Sequence, residues 1–255
     1  MDQIMNSYKV YYINLDKSVE RRTFMEQQFQ EFGIPIERYS AILGKAMDAK
    51  LLKKLKGHFN ILTHFPYLNP GEIGLTATYF KLWKEIQNQD EKFAVILEDD
   101  ALIQNDFFSK INDIFSEVSP NDFVDISGRK GYFKLKEKDF TTLYSIPPLQ
   151  TTGQIVGKNA AAKLVANFKK WYAPIDVLKQ DVFKHRVRVY VTNEVYVVSN
   201  DKNLGGTTLQ QKKMPKLKKI IREIVRPFWQ LLTLFTYKSM RLTRNYFFYK
   251  GEKIA

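Results

Sequence analysis

Phe93-Ala94-Val95-Ile96-Leu97-Glu98-Asp99-Asp100 runs five apolar residues straight into three acids. A short apolar run with no polar interruption reads as a strand buried on both faces. Open α/β sheets bind ligands outside the carboxyl ends of such strands, so this exit is the first place to look for a site. In an extended segment Glu98 and Asp100 face one side and Asp99 the other. Glu98 and Asp100 are therefore the paired candidates for a divalent cation, Mn²⁺ or Mg²⁺, whose oxygen shell substrate phosphates complete. Glu98 has a second candidate role on a nucleotide-sugar ribose, and Asp99 orients the loop or touches the donor. The alternative is a solvated acidic exit whose aspartates cap the next turn. A cation there neutralises charge as a bond to phosphate breaks, which serves glycosyl transfer and phosphoryl hydrolysis alike.

Outward from this strand, elements of both periods alternate. Lys9 to Leu15 reads as a strand, followed by a helical stripe of Val19, Met25, Phe29 and Phe32 that stops at Gly33 and Pro35. Residues 40–68 stay open, with a Lys-rich helical option from Asp48 to Lys56. Asn69-Pro70-Gly71-Glu72 supplies a cap, a proline at the first helical position and an acid three residues past the cap. Ile73, Ala77, Phe80, Trp83 and Ile86 then form one helical face, which makes Trp83 a core residue rather than a sugar platform. Phe123 to Ile126, Gln154 to Gly157, Val187 to Val191 and Val195 to Val198 read as further strands, and Asn159 as the cap of a helix from Ala160 to Phe168. The pattern predicts an α/β fold with a mixed central sheet and flanking helices.

The chain has 255 residues, 44% of them hydrophobic, with 19 Phe and 14 Tyr, enough for a sizeable core. It has no cysteine, which excludes disulfide staples, thiolate metal sites and a cysteine nucleophile. Lys plus Arg number 40 against 27 Asp plus Glu, for a net +13. Twelve of those cations, against Glu223 and Glu252 only, fall in residues 212–255, leaving +3 for residues 1–211. The division expected is a domain over 1–211 and a basic amphipathic segment over 212–255. In that segment Ile220, Ile221, Ile224, Val225, Phe228, Trp229, Leu231 and Leu232 recur at helical spacing beside Lys218, Lys219, Arg222 and Arg226, as in a helix lying on an anionic membrane. Packing on the domain and self-association into a homo-oligomer are the competing readings. Nothing resembles a base-reading motif, so no specific nucleic-acid partner is expected. The start of the chain lacks a secretory pattern and no apolar run reaches membrane-spanning length. A cytoplasmic protein, peripheral on the inner membrane's cytoplasmic face, is expected.

The ordered set of motifs resembles glycosyltransferase family 25, which includes bacterial lipooligosaccharide galactosyltransferases. The resemblance runs through Val10 to Asp16, Glu20-Arg21-Arg22, Gly71-Glu72-Ile73-Gly74 with Trp83, Ile96 to Asp100, Gly153 to Gly157 and Pro174-Ile175-Asp176. It implies a GT-A-like, metal-dependent transferase that moves galactose from UDP-galactose to a lipooligosaccharide or lipopolysaccharide core acceptor, with inversion to a β linkage. UDP-glucose and UDP-N-acetylhexosamine are alternative donors. A nucleotide-sugar hydrolase and a nonenzymatic basic adaptor are alternative functions.

The family's late acidic site falls on Asp176, the first candidate for the acceptor-activating base, with a cap or salt-bridge role as its competing reading; Asp181, available nearby and read first as structural, is the second candidate. The resemblance places donor contacts at Asn14, Asp16, Arg21, Arg22, Glu72, Thr78, Tyr79, Glu98 and Asp99. Arginine pairs well with phosphate through its planar fork. Turn and cap roles for Asn14 and Asp16, an exposed helix surface for the two arginines and a capping box for Glu72 are the competing readings. Thr78 and Tyr79 stand where the family carries Ser and His; Thr78 keeps a hydroxyl, whereas Tyr79 offers a larger phenol. His185, between Lys184 and Arg186, is read as a basic-surface residue.

Overall fold

The computed structural model describes residues 8–48, 50, 68–104, 106–206, 220, 223–228, 230–232, 234 and 235. Ten strands are described: β1 (Tyr8–Asn14), β2 (Glu37–Ser40), β3 (Phe93–Glu98), β4 (Ala101–Ile103), β5 (Asp122–Asp125), β6 (Tyr132–Glu137), β7 (Thr141–Ile146), β8 (Gly153–Gly157), β9 (Arg188–Thr192) and β10 (Val197–Ser199). The helices are α1 (Val19–Phe32), α2 (Pro70–Ile86), α3 (Phe107–Glu117), α4 (Lys158–Asn167), α5 (Ile175–Gln180) and α6 (Val182–His185). Eight strands form one mixed sheet in the order β2-β1-β3-β8-β5-β9-β7-β6, and β4 pairs with β10 in a separate ribbon.

β1, β2 and β3 run parallel, and β8 lies antiparallel between β3 and β5. β1, β3 and β5 therefore all end at one edge of the sheet, delivering Asn14, Glu98 and Asp125 there. Alternation along β3 sends Ala94 and Ile96 to the face covered by α2, α4 and α5, and Phe93, Val95 and Leu97 to the face covered by α1 and α3. Both faces are apolar, so Phe93–Leu97 is buried throughout, as its composition predicts.

The cap of α2 forms as read. Asn69 accepts from the Glu72 amide at 2.8 Å and Glu72 accepts from the Asn69 amide at 2.7 Å. Gly74, one turn in, lets the loop after β2 press against the helix, since a Cβ there would stand 2.3 Å from the Ile42 carbonyl oxygen. The cap expected from Asn159 is not used. Helix α4 starts at Lys158, and its free amides are taken by neighbouring backbone: Lys158 donates to the Lys92 carbonyl and Ala160 to the Pro120 carbonyl.

The Asp48–Lys56 option lies almost wholly outside the described residues. Most of 212–255 does too. Within it 223–228 and 230–232 are helical, with Ile224, Phe228, Leu231 and Leu232 exposed. No helix among the described residues is long and apolar enough to cross a membrane.

Candidate active site

The carboxyl ends of β1, β2 and β3 and the first turns of α2 enclose a cavity of about 230 Å³. Glu98, Asp99 and Asp100 line it together with Arg21, Lys17 and Lys45. The cavity thus holds acids and cations within one enclosure, at the sheet edge where the apolar run of β3 stops.

Strand pairing ends at Glu98, so the alternation expected to group Glu98 with Asp100 does not extend that far. Glu98 follows Ala94 and Ile96 toward α2, where one carboxylate oxygen accepts the Thr151 hydroxyl at 2.6 Å. Asp99 and Asp100 take other partners, while all three acids line the one cavity. Asp99 accepts from Arg21 at 2.7 Å and from Asn14 at 2.8 Å, and Asp100 accepts from Ser199 at 3.0 Å with the Arg21 guanidinium 3.8 Å away. The second Asp100 oxygen, Oδ1, is buried without a hydrogen-bond partner. A buried carboxylate oxygen left unsatisfied costs free energy unless a cation or donor arrives.

Burial pushes the Glu98 carboxyl up to about 7, helped by the charges of Asp100, Asp99 and Asp176 and opposed by the Thr151 bond. Burial also raises Asp100, against the pull of Ser199 and Arg21. Asp176, in the first turn of α5, is raised by burial too. The Lys179 charge and the Val177 amide oppose the rise, and Glu72 reinforces it. Asp176 does not line the cavity; its charge is the last of those that raise Glu98.

Several of the expected donor contacts are engaged by neighbouring groups. Asn14 is buried and ties Asp99 to the Ser18 carbonyl and to Arg38. Asp16 is exposed and lies below the usual carboxylate range because Arg38 and Ser40 donate to it. Arg21 is committed to Asp99 and to the Leu204 and Gly206 carbonyls, and Arg22 donates to the Asp16 carbonyl. Glu72 completes the cap of α2.

Thr78 and Tyr79 do not reach the cavity, because the face of α2 that carries them is buried against the sheet. Thr78 donates to the Gly74 carbonyl and accepts from the Ile42 amide. Tyr79 donates to the Thr151 carbonyl and accepts from Gln154, which sets the loop that supplies the Thr151 hydroxyl to Glu98. Trp83 is core, 1% exposed.

Asp181 stands apart from the cavity. It links α5 to α6, accepts the Tyr172 hydroxyl, and is pushed up to about 6 by burial. His185 is not on the surface. It is 1% exposed, its Nε2 lies 3.0 Å from the Lys179 carbonyl, its Nδ1 accepts from the Val187 amide, and burial pushes it down to about 4. Arg186 is exposed and Lys184 lies half-buried over the Tyr172 ring, while the short helix turns the imidazole into the core.

Sequence reading missed Thr151, Ser199, Lys17 and Lys45, and also a buried ion pair, Lys179 with Asp125 at 2.9 Å. Each of the first two meets its acid from 53 and 99 residues away, so no local signal marks it.

A mixed sheet between helices, with an acidic cavity at the ends of its parallel strands, defines an α/β protein consistent with the GT-A-like glycosyltransferase fold. The model for glycosyltransferase family 25 (LPS biosynthesis protein) matches residues 7–179, and the chain belongs to that family. A glycosyltransferase 25 family member of Drosophila pseudoobscura pseudoobscura is 32% identical over 95 residues, 36% of this chain and 15% of that protein. Human procollagen galactosyltransferase 2 is 24% identical over 196 residues, 71% of this chain and 31% of that one. The crystal structure of a glycosyltransferase involved in the glycosylation of the major capsid of PBCV-1 aligns with a TM-score of 0.41 at 10% identity, over 86% of this chain and 98% of that one. The chain spans a third or less of the length of these two relatives.

Proposed function

We propose that this chain is an inverting glycosyltransferase that takes galactose from UDP-galactose and places it on a lipooligosaccharide or lipopolysaccharide core sugar. The observation that carries this reading is the cavity in which Glu98, Asp99 and Asp100 meet Lys17 and Lys45. Family membership favours a sugar donor over other phosphorylated substrates, and the family's link to lipopolysaccharide biosynthesis favours a lipopolysaccharide acceptor. The name of the human relative favours galactose.

The unpartnered oxygen of Asp100 fits Mn²⁺ or Mg²⁺, with Glu98 as the second carboxylate. When bound, such a cation supplies charge neutralisation at the departing diphosphate. Lys17 and Lys45 add cationic charge at the same cavity. Asp99 and Arg21 fix the turn that carries Asp100. Asp176 takes the proton of the acceptor hydroxyl, a role favoured by a carboxyl that burial raises.

Residues 212–255 hold the domain at the cytoplasmic face of the bacterial inner membrane, beside a lipid-linked acceptor. The net +10 of that segment and the exposure of Ile224, Phe228 and Leu231 support this placement. A donor-by-acceptor screen with truncated lipooligosaccharide and Mn²⁺, read by mass and linkage, tests the whole reading. An extended glycan is expected, absent with Asp176→Asn. Release of free sugar alone would mark a hydrolase.

A further inference from the structure

Strand β6 ends the sheet, and its outer side pairs with no strand among the described residues. Most of it is exposed. Tyr132 is 61% and Phe133 62% exposed, although neighbours on a strand point to opposite faces and one of the two should be covered. The reason lies in the hairpin. β7 pairs with β9 only from Thr141 to Leu143, and beyond that point Tyr144 and Ile146 pair only with Lys134 and Tyr132. Here β7 stays buried at Tyr144, Ser145 and Ile146, so β6 alone is left exposed at the edge. Phe133 also has φ +55°, a left-handed conformation in which a bulky L residue is strained. Folding gains nothing from placing a strained aromatic in water.

Exposed cations outnumber exposed acids around the pair. Arg129, Lys130, Lys134 and Lys136 are exposed, and Glu137 answers only Lys134, at 2.6 Å. None of these residues lines the cavity at the end of β3, so the feature is an exposed edge apart from it. An exposed pair of aromatics ringed by cations matches an anionic bilayer, whose interface takes aromatic rings and whose surface attracts Lys and Arg. It does not match a second copy of the same edge, because the cations repel.

We propose that the exposed start of β6, through Tyr132 and Phe133 flanked by Arg129, Lys130 and Lys136, is a membrane-insertion edge for anionic lipid, separate from residues 212–255. It does not depend on the catalytic reading.

The absence of cysteine allows a direct test on the full chain. Tyr132→Cys, labelled with a polarity-sensitive fluorophore, is mixed with phosphatidylcholine vesicles with and without phosphatidylglycerol. The expected result is a blue-shifted, several-fold brighter signal with phosphatidylglycerol only, quenched by spin-labelled lipid, while a label at Glu31→Cys stays in water. A label at 132 that remains in water on vesicle-bound protein overturns the proposal, as does failure of the protein to bind. A response to single-stranded oligonucleotide or to soluble glycan equal to that with lipid also overturns it. Phe133→Gly gives a second measure, because glycine is at ease at that φ and the fold should melt no lower. It should weaken vesicle binding several-fold. Unchanged affinity counts against the edge.

Discussion

Glu98 is held where two demands conflict. Strand alternation turns it with Ala94 and Ile96 toward the apolar face, and the Thr151 hydroxyl gives only one donor against the desolvation of its charge. Its folded pKa, about 7, lies above the ordinary 4.5, so the stability it contributes is complete below about 4.5 and is lost as pH rises through about 7. Glu98→Gln should remove a loss on the order of 3 kcal/mol between those limits. Denaturant melts at both ends of the window would check it, and an equally steep decline in the variant would assign the loss elsewhere. A cation bound by Glu98 competes with that proton, so Mn²⁺ should raise the melting temperature more above pH 7 than below it. Asp100→Asn should abolish that rise while keeping the fold, since the amide oxygen still accepts from Ser199. At this scale the acids were legible because they follow Leu97 directly. Their partners were not, since Thr151, Ser199 and Arg21 are set by distant chain crossings. Nor was the geometry of Asp100, because alternation stops where pairing with β1 stops.

Short elements position the site, and they are held by buried polar contacts rather than by their own length. Helix α5 has six residues, too few to stand alone, and Lys179 anchors it to Asp125 at the end of β5, with a further bond to the Gln150 carbonyl. Lys179→Met should cost about 3–5 kcal/mol, because it leaves a buried carboxylate without its cation. Replacing Asp125 by Leu in the same chain should restore much of the loss, and equilibrium unfolding of the single and double variants would measure it. No recovery would mean that Lys179 acts through packing against Phe123. The cap of α2 is simpler: Asn69→Ala should cost about 1 kcal/mol. That cap could be read in the sequence because all its atoms lie within four residues. β3, β5 and β9 were readable as apolar runs. β6 was not, since its exposed residues carry no hydrophobic alternation, and β2 was too short to stand out from its neighbours.

Across the whole molecule, the sequence identifies strands without ordering them. β8 enters the sheet between β3 and β5 by a long return of the chain, and no local pattern encodes that neighbour choice. Charge, by contrast, is legible at this scale, because the sum over 212–255 does not depend on folding. The two proposed membrane contacts differ in kind, and that difference makes a prediction. The tail offers net +10, and each Lys or Arg near an anionic surface contributes about 1 kcal/mol before screening. The β6 edge offers fewer cations beside two aromatics, so apolar insertion carries more of its share. Removing residues 212–255 should therefore lower affinity for phosphatidylglycerol vesicles steeply at low salt and less at high salt. Residual binding should respond weakly to salt and vanish with Phe133→Gly. Cosedimentation across a salt series reads both slopes. If the truncated chain binds as the full one does, the tail is not the electrostatic anchor; if its residual binding is as salt-sensitive as before, β6 holds the membrane by charge and its aromatics do not insert.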